Sequence, residues 1–315
     1  MFTFFKKIFS IKDDCELRTL ITIFGIKFRI PKRKYTNKRN HHPFYEYVKN
    51  NIDITTVPPA TGEFRDFQLA TLSLLIDFDA ICKQNNIHYW LDFGTLIGAV
   101  RHKGFIPWDD DIDLGIFRED YEKIIDIVNN NNINPDICAV YNINGTFIKI
   151  THKKCNLLFL DLFPVDKYGE IISIDEQLKE TQRIKRITTP IHKSSEYQAN
   201  HEQIRELIAE IREKEILTNK LPKDETKMQY VWGIDFLHGW GNWFTNYDVY
   251  FPFKTISFEG HEFPCMNKPE EYLTKVYGDY MVYPKKMRLG HNIFLERSEE
   301  EKTIIKTLIK EKELS

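Results

Sequence analysis

The sequence predicts an α+β protein: a small mixed β-sheet flanked by helices, with a helical insertion and a short N-terminal β-hairpin. Three observations point there. Apolar residues at Phe67, Ala70, Leu74, Phe78 and Ile81 keep helical spacing. Apolar runs of strand length recur at 87–93, 112–117, 137–141, 147–151 and 157–163, separated by turn residues. After Pro164 the texture changes to long, strongly charged helical runs. Helices beside a small mixed sheet place the chain in the mixed classes.

In chain order, residues 20–30 (LITIFGIKFRI) carry a glycine near the middle and then alternate apolar with basic residues. That reads as a short hairpin with cationic side chains on one face. Lys32-Arg33-Lys34 and the polar run to Asn40 form a linker. The helix over 66–85 ends at Asn85-Asn86, and the strand at 87–93 breaks at Gly94-Thr95. A short helix follows over 96–102, then loop signals at Lys103-Gly104 and Pro107, a strand at 112–117, a helix over 119–129 and an asparagine-rich loop. Residues 175–187 and 202–217 read as helices, the second with Ile204, Leu207, Ile208 and Ile211 on one face. The stretch 230–288 is aromatic and loop-rich, with a strand at 253–258 and a helix over 270–277. The resulting plan has four parts: a basic hairpin and linker (1–45), a core (46–170), a helical and aromatic-rich insertion (171–250), and a segment completing the core (251–315).

A hydrophobic content of 42% over 315 residues is ample for a sizeable core. The net charge of -2 conceals an asymmetry: residues 1–40 hold eleven Lys/Arg against Asp13, Asp14 and Glu16, or +8, leaving -10 for the rest. A basic arm on an acidic body suits an anionic membrane surface, or is simply a solvated tail. The acidic body argues against nucleic acid as a partner. Five scattered cysteines without a CxxC pair support neither a disulfide framework nor a structural zinc site, and reduced thiols fit the cytosol. No apolar stretch reaches the length of a signal peptide or a membrane span. The expectation is a cytoplasmic protein, with peripheral contact at the inner face of the membrane through its N-terminus as the sharper version.

The most informative stretch is Trp108-Asp109-Asp110-Asp111-Ile112-Asp113-Leu114. In an extended chain, Asp109, Asp111 and Asp113 share one face while Asp110, Ile112, Leu114 and Ile116 share the other. Two carboxylates about 4 Å apart repel by roughly 4 kcal/mol at an effective dielectric near 20, so the cluster asks for a cation or retained protons. Mg²⁺, with Mn²⁺ as a substitute, suits a site of few carboxylates, retained waters and substrate phosphates. A solvated acidic loop or a structural calcium site are the plainer readings. An EF-hand loop fails, because Leu114 stands where its glycine would be. Asp111 and Asp113 are the best ligands, with Asp109 at the strand's mouth.

Upstream, Gly94 and Thr95 sit at a strand-to-helix turn whose free N–H groups make a seat for phosphate. Arg101, His102 and Lys103 lie between this turn and the acidic strand, placed to neutralise a diphosphate or simply to complement a helix C-terminus. Asp161 stands alone in the apolar run Leu157–Phe163. A buried lone acid needs a partner. If its strand lies beside 112–114, it completes a carboxylate triad and shares a metal or takes a proton; the alternative is an ion pair with Lys149 or Lys153. Tyr230, Trp232, Phe236, Trp240, Trp243, Phe244 and Tyr247 crowd one stretch, as core packing, as a platform for a sugar, or as a cage for a quaternary ammonium.

Taken together, Gly94-Thr95-Leu96-Ile97-Gly98-Ala99-Val100-Arg101, Pro107-Trp108-Asp109-Asp110-Asp111-Ile112-Asp113 and Asp161-Leu162-Phe163-Pro164-Val165-Asp166 resemble the LicD/fukutin-related family. Phe258-Glu259-Gly260, and Tyr277-Gly278-Asp279-Tyr280-Met281 with Pro284, Arg288 and His291, are similar to its closing motif. The resemblance spans roughly residues 70–295. It implies a nucleotidyltransferase-like core and metal-dependent transfer of a phospho-alcohol from a CDP-linked donor to a sugar hydroxyl, with release of CMP. The implied acceptor is a cell-surface glycan such as lipopolysaccharide or capsule, or a lipid-linked sugar. The group implied is phosphocholine in bacterial members and ribitol phosphate in animal relatives. Carried over by position, Asp111 and Asp113 hold the metal, Asp161 is third ligand or base, and Gly94, Thr95 and Arg101 cradle the donor's phosphates. Arg288 and His291 contact phosphate or acceptor. The competing readings are a true nucleotidyltransferase that releases diphosphate and a non-enzymatic membrane- or glycan-binding protein.

Overall fold

The computed structural model describes residues 9–15, 18–23, 26–31, 43–142, 146–170, 173–194, 200–216, 221–235, 240–284 and 297–314. The chain divides into two compact units, residues 1–52 and 53–315. The first holds a three-stranded antiparallel sheet, β1 (Phe9–Cys15), β2 (Arg18–Ile23) and β3 (Ile26–Pro31), followed by helix α1 (Pro43–Asn51). The β2–β3 pair is the hairpin expected at 20–30, and β1 adds a strand that the sequence reading did not assign.

The second unit carries the α+β core. Its elements are α2 (Gly62–Gln84), β4 (Tyr89–Leu91), α3 (Phe93–His102), β5 (Ile112–Phe117), α4 (Arg118–Asn129), β6 (Ile137–Tyr141), β7 (Ile148–His152) and β8 (Cys155–Tyr168). Next come α5 (Ile174–His192), α6 (His201–Glu215), β9 (Gln229–Trp232), β10 (Phe244–Asn246) and α7 (Tyr247–Tyr250). The hairpin β11 (Lys254–Phe258) and β12 (His261–Cys265), α8 (Pro269–Tyr277) and α9 (Glu299–Glu311) close the unit.

A mixed seven-stranded sheet runs β10-β9-β8-β5-β4, with the β6–β7 hairpin joined to β8. Strand β8 is its hub. Its residues 160–162 lie between antiparallel β7 and parallel β5, and its end pairs with β9. Apolar alternation fixes the register, since a slip by one residue would turn every buried side chain outward. Ile112, Leu114 and Ile116 on β5, and Leu160 and Leu162 on β8, are fully buried, each worth about 1.5–3 kcal/mol relative to exposure. Helix α2 buries Phe67, Leu72, Leu75, Phe78 and Ile81. The stretch 171–250 contains its two expected helices, but β9 and β10 also lie within it and extend the central sheet. Among the described residues, no helix is long and apolar enough to cross a membrane.

Candidate active site

The site forms where α3 starts and β5 begins. Asp92 caps α3, its carboxylate accepting from the Phe93 N–H at 2.7 Å and from Trp90 Nε1 at 3.0 Å. Burial pushes this carboxyl up to about 6, against the hydrogen bonds from Tyr272, Phe93 and Trp90. Phe93 sits at φ 43°, a costly left-handed conformation for a large side chain. That turn aims the Gly94 N–H at Asp113 Oδ2, 3.4 Å away. A Cβ at Gly94 would lie 2.9 Å from Asp109 Oδ2 and 3.6 Å from Asp113 Oδ2, so a larger residue would push the Asp109 carboxylate aside. The Thr95 hydroxyl accepts the Asp113 N–H at 2.8 Å, and the Asp92 N–H donates to the Asp113 carbonyl at 3.0 Å. Thr95 is buried, behind the carboxylates, where it ties α3 to β5.

Parallel pairing of β5 with β8 sets Asp113 opposite Asp161, and antiparallel pairing of β7 sets Lys149 opposite Asp161 on the other side. Ligand oxygens of Asp111, Asp113 and Asp161 all lie within 4.8 Å of one another, and those of Asp109, Asp110 and Asp111 form a second such group. At that spacing each pair of like charges repels by roughly 3 kcal/mol at an effective dielectric near 20. Burial, and then the charges of Asp111, Asp161, Asp109 and Asp92, push the Asp113 carboxyl well above the usual range. Partial compensation comes from Lys149, whose Nζ lies 2.6 Å from Asp161 Oδ1. Both expectations for Asp161 therefore hold in geometry: it joins the other two carboxylates and is ion-paired with Lys149. The donor set fits a hard divalent cation, which would relieve the crowding of like charges.

The loop carrying these acids is held by Gln68 and by Glu259. Gln68 Nε2 donates to the Asp109 carbonyl at 2.7 Å. Glu259, in the β11–β12 turn, accepts both guanidinium arms of Arg65 (3.0 and 2.7 Å) and the Phe105 N–H at 2.9 Å. Arg101, at the end of α3, donates to the Tyr280 carbonyl; burial draws its guanidinium down to about 10, against the pull of Tyr283, Asp109 and Tyr280. Arg288, His291 and Phe236 lie outside the described residues.

Comparison with known proteins adds the decisive observation. The family model "LicD/FKTN/FKRP, nucleotidyltransferase domain" matches residues 86–204, the stretch that carries every carboxylate of the cluster. A lipopolysaccharide cholinephosphotransferase LicD of Haemophilus influenzae is 31% identical over 246 residues, 70% of this chain and 92% of that protein. This chain belongs to the LicD/FKTN/FKRP family. It is a transferase of substituted phosphate groups. The ribitol 5-phosphate transferase FKRP of Homo sapiens is 30% identical over 102 residues, 31% of this chain and 21% of that protein. The mouse ribitol-5-phosphate transferase FKTN is 30% identical over 115 residues, 33% of this chain and 24% of its own length.

Within this LicD-family member the structure sorts the family-like motifs by what they touch. Glu259 buttresses the acidic loop. Asp166 is a structural partner, its carboxylate taking Arg118 Nε at 2.7 Å and Nη2 at 3.0 Å. Tyr277 is partly exposed by surface area, and desolvation around its hydroxyl, then the charges of Asp113, Asp92, Asp109 and Asp111, push its phenol well above its ordinary value. The aromatic crowd divides. Trp232 and Trp240 gather on Phe93, with centroids 5.6 and 5.1 Å away, and Trp240 meets Tyr277 at 5.6 Å. Tyr230 and Tyr247 instead pack around Phe251 with Phe117, away from Phe93 along β5. Sequence reasoning missed Phe93 and Phe163, whose rings meet edge to face at 5.2 Å beside Gly94 and Asp161. Their apolar character reads as core, and only the three-dimensional turn brings them to the site.

Proposed function

We propose that this protein moves a phospho-alcohol, phosphocholine in the first instance and a polyol phosphate as the variant, from a CDP-linked donor to a sugar hydroxyl of a cell-surface glycan or its lipid-linked precursor, releasing CMP. The observation that carries it is the convergence of Asp111, Asp113 and Asp161 within 4.8 Å at the N-terminus of α3. Phosphocholine comes first because the cholinephosphotransferase relative is matched over 92% of its length.

In this reading Asp111, Asp113 and Asp161 hold Mg²⁺ or Mn²⁺, which when bound supplies charge neutralisation to the diphosphate. Gly94 brings the donor's phosphate to the helix N-terminus, with Thr95 fixing the turn beneath it. Arg101 offsets charge as the bond from the alcohol-bearing phosphorus to the bridging oxygen breaks and CMP leaves with that oxygen. Asp161 accepts the proton of the attacking hydroxyl. Trp240 and Tyr277 wall the side on which the alcohol or the acceptor sugar lies. Arg288 and His291 complete the phosphate contacts. The catalytic core is residues 46–170 closed by 251–315, with 171–250 inserted and 1–45 a basic arm that meets anionic lipid at the cytoplasmic face of the membrane.

The test is direct: incubate the protein with Mg²⁺, a glycan acceptor and a set of CDP-alcohols, and measure CMP. Donor-dependent CMP that is lost in Asp111→Asn supports the reading. Diphosphate release from a nucleoside triphosphate, with no CMP from any CDP-alcohol, overturns it in favour of nucleotidyl transfer. Co-sedimentation of the full chain with anionic but not neutral vesicles checks the membrane contact; equal recovery with both counts against it.

A further inference from the structure

Three adjacent strands place Lys149, Asp161 and Asp113 in one register row across the sheet, cation beside carboxylate beside carboxylate. The Lys149 ammonium is 2.6 Å from Asp161 Oδ1 and lies 3.2 Å from the centroid of the Phe159 ring, two residues along the same face of β8. The centroid of the Phe147 ring stands 5.6 Å from the same ammonium. A surface lysine samples many rotamers; this one is held between an anion and aromatic faces, both of which favour a cation. Its charge sits on the carboxylate that also faces Asp111 and Asp113.

We propose that Lys149 is a positioning residue that acts as a tethered competitor of the divalent cation. Its ammonium occupies the Asp161 side of the carboxylate group when no cation is bound, and its fixed charge weakens cation affinity once one is bound. The fixed positive charge beside Asp161 offsets one of the negative charges that the cation would otherwise meet there. The inference rests on the proposed cation role of Asp111, Asp113 and Asp161, and it adds a residue that tunes that site from the neighbouring strand.

The experiment measures Mn²⁺ binding to the purified full chain by the loss of free-ion paramagnetic resonance signal, without donor or acceptor. Lys149→Met removes the charge at similar length and should bind Mn²⁺ about tenfold or more tightly than the wild type, because a unit charge a few ångströms from a divalent ion has gone. Lys149→Arg keeps the charge and should stay within about threefold of the wild type. If Lys149→Met proves unfolded by circular dichroism, Lys149→Gln provides the same loss of charge with a polar end. Unchanged or weaker binding in the folded neutral variants, with wild-type binding intact, overturns the competitor role alone. Absence of Mn²⁺ binding by the folded wild type and variants overturns both this inference and the cation site beneath it.

Discussion

Strands β5 and β8 present two charge clusters of opposite design. At one end, Asp113 and Asp161 face each other across the pair with Asp111 alongside, and Lys149 pairs with Asp161. At the other, Arg118 follows β5 directly and lies between Asp166 of β8 and Asp235, contacting Asp166 at 2.7 Å and both oxygens of Asp235. Against the cost of burial, the two carboxylates raise Arg118 well above its ordinary value, and Arg118 lowers Asp235 below its own. In the first cluster like charges crowd one another, whereas in the second each carboxylate oxygen meets a guanidinium N–H. A matched buried cluster holds a fold together; a crowded one costs stability and persists where a ligand completes it.

Four changes would break or sharpen that contrast, and the largest effect is expected at the crowded end. Asp113→Asn should lower transferase activity by about a thousandfold, since it removes a charged ligand from the transition-state machinery. The same change should raise the cation-free melting temperature, because it relieves repulsion. A fall in both would mean that Asp113 is structural.

At the matched end the signs reverse. Arg118→Met should cost about 3–5 kcal/mol in urea unfolding by leaving buried carboxylates uncompensated. A loss under 1 kcal/mol would show the cluster to be ornamental.

The third change is in pH. Asp113 is raised in the folded protein, so it holds its proton to higher pH there than in the unfolded chain. Its contribution is greatest below about pH 4 and is lost as pH rises through the raised value, at up to about 1.4 kcal/mol per pH unit. Cation-free wild type measured against Asp113→Asn should therefore lose relative stability on going from acid to neutral, and saturating Mg²⁺ should abolish the trend. A wild type that gains stability relative to Asp113→Asn as pH rises would contradict it. The smallest effect belongs to Gly94→Ala. The added methyl crowds Asp109 Oδ2 at 2.9 Å, and activity should drop about tenfold with under about 1 kcal/mol of lost stability.

Much of this was legible in the chain because it is local. Alternation along 112–117 separates Asp113 from Ile112, Leu114 and Ile116, and the structure buries those three completely while Asp113 keeps a minor part of its surface exposed. Helix α2 and strands β5 and β6 follow from periodicity and turn residues alone. What escaped was non-local. Strands β9 and β10 are three or four residues long, sit in an aromatic stretch without alternation, and become strands only because β8 offers an edge at its far end. Helix α9 was not assigned, although a Ser298–Glu301 capping box marks its start. For the site, composition offered Asp161 two partners, and no pattern says that pairing on both edges of β8 supplies both at once. Glu259 is more distant still: 194 residues from Arg65, it is legible as a turn residue and illegible as the buttress of the acidic loop.

The account stands on one cation gathering carboxylates from two neighbouring strands. Crystals soaked in Mn²⁺ and measured at the manganese edge should show an anomalous peak about 2.1 Å from oxygens of Asp111, Asp113 and Asp161 together. A peak at some other cluster, or none in a crystal of the folded protein at millimolar Mn²⁺, would contradict it.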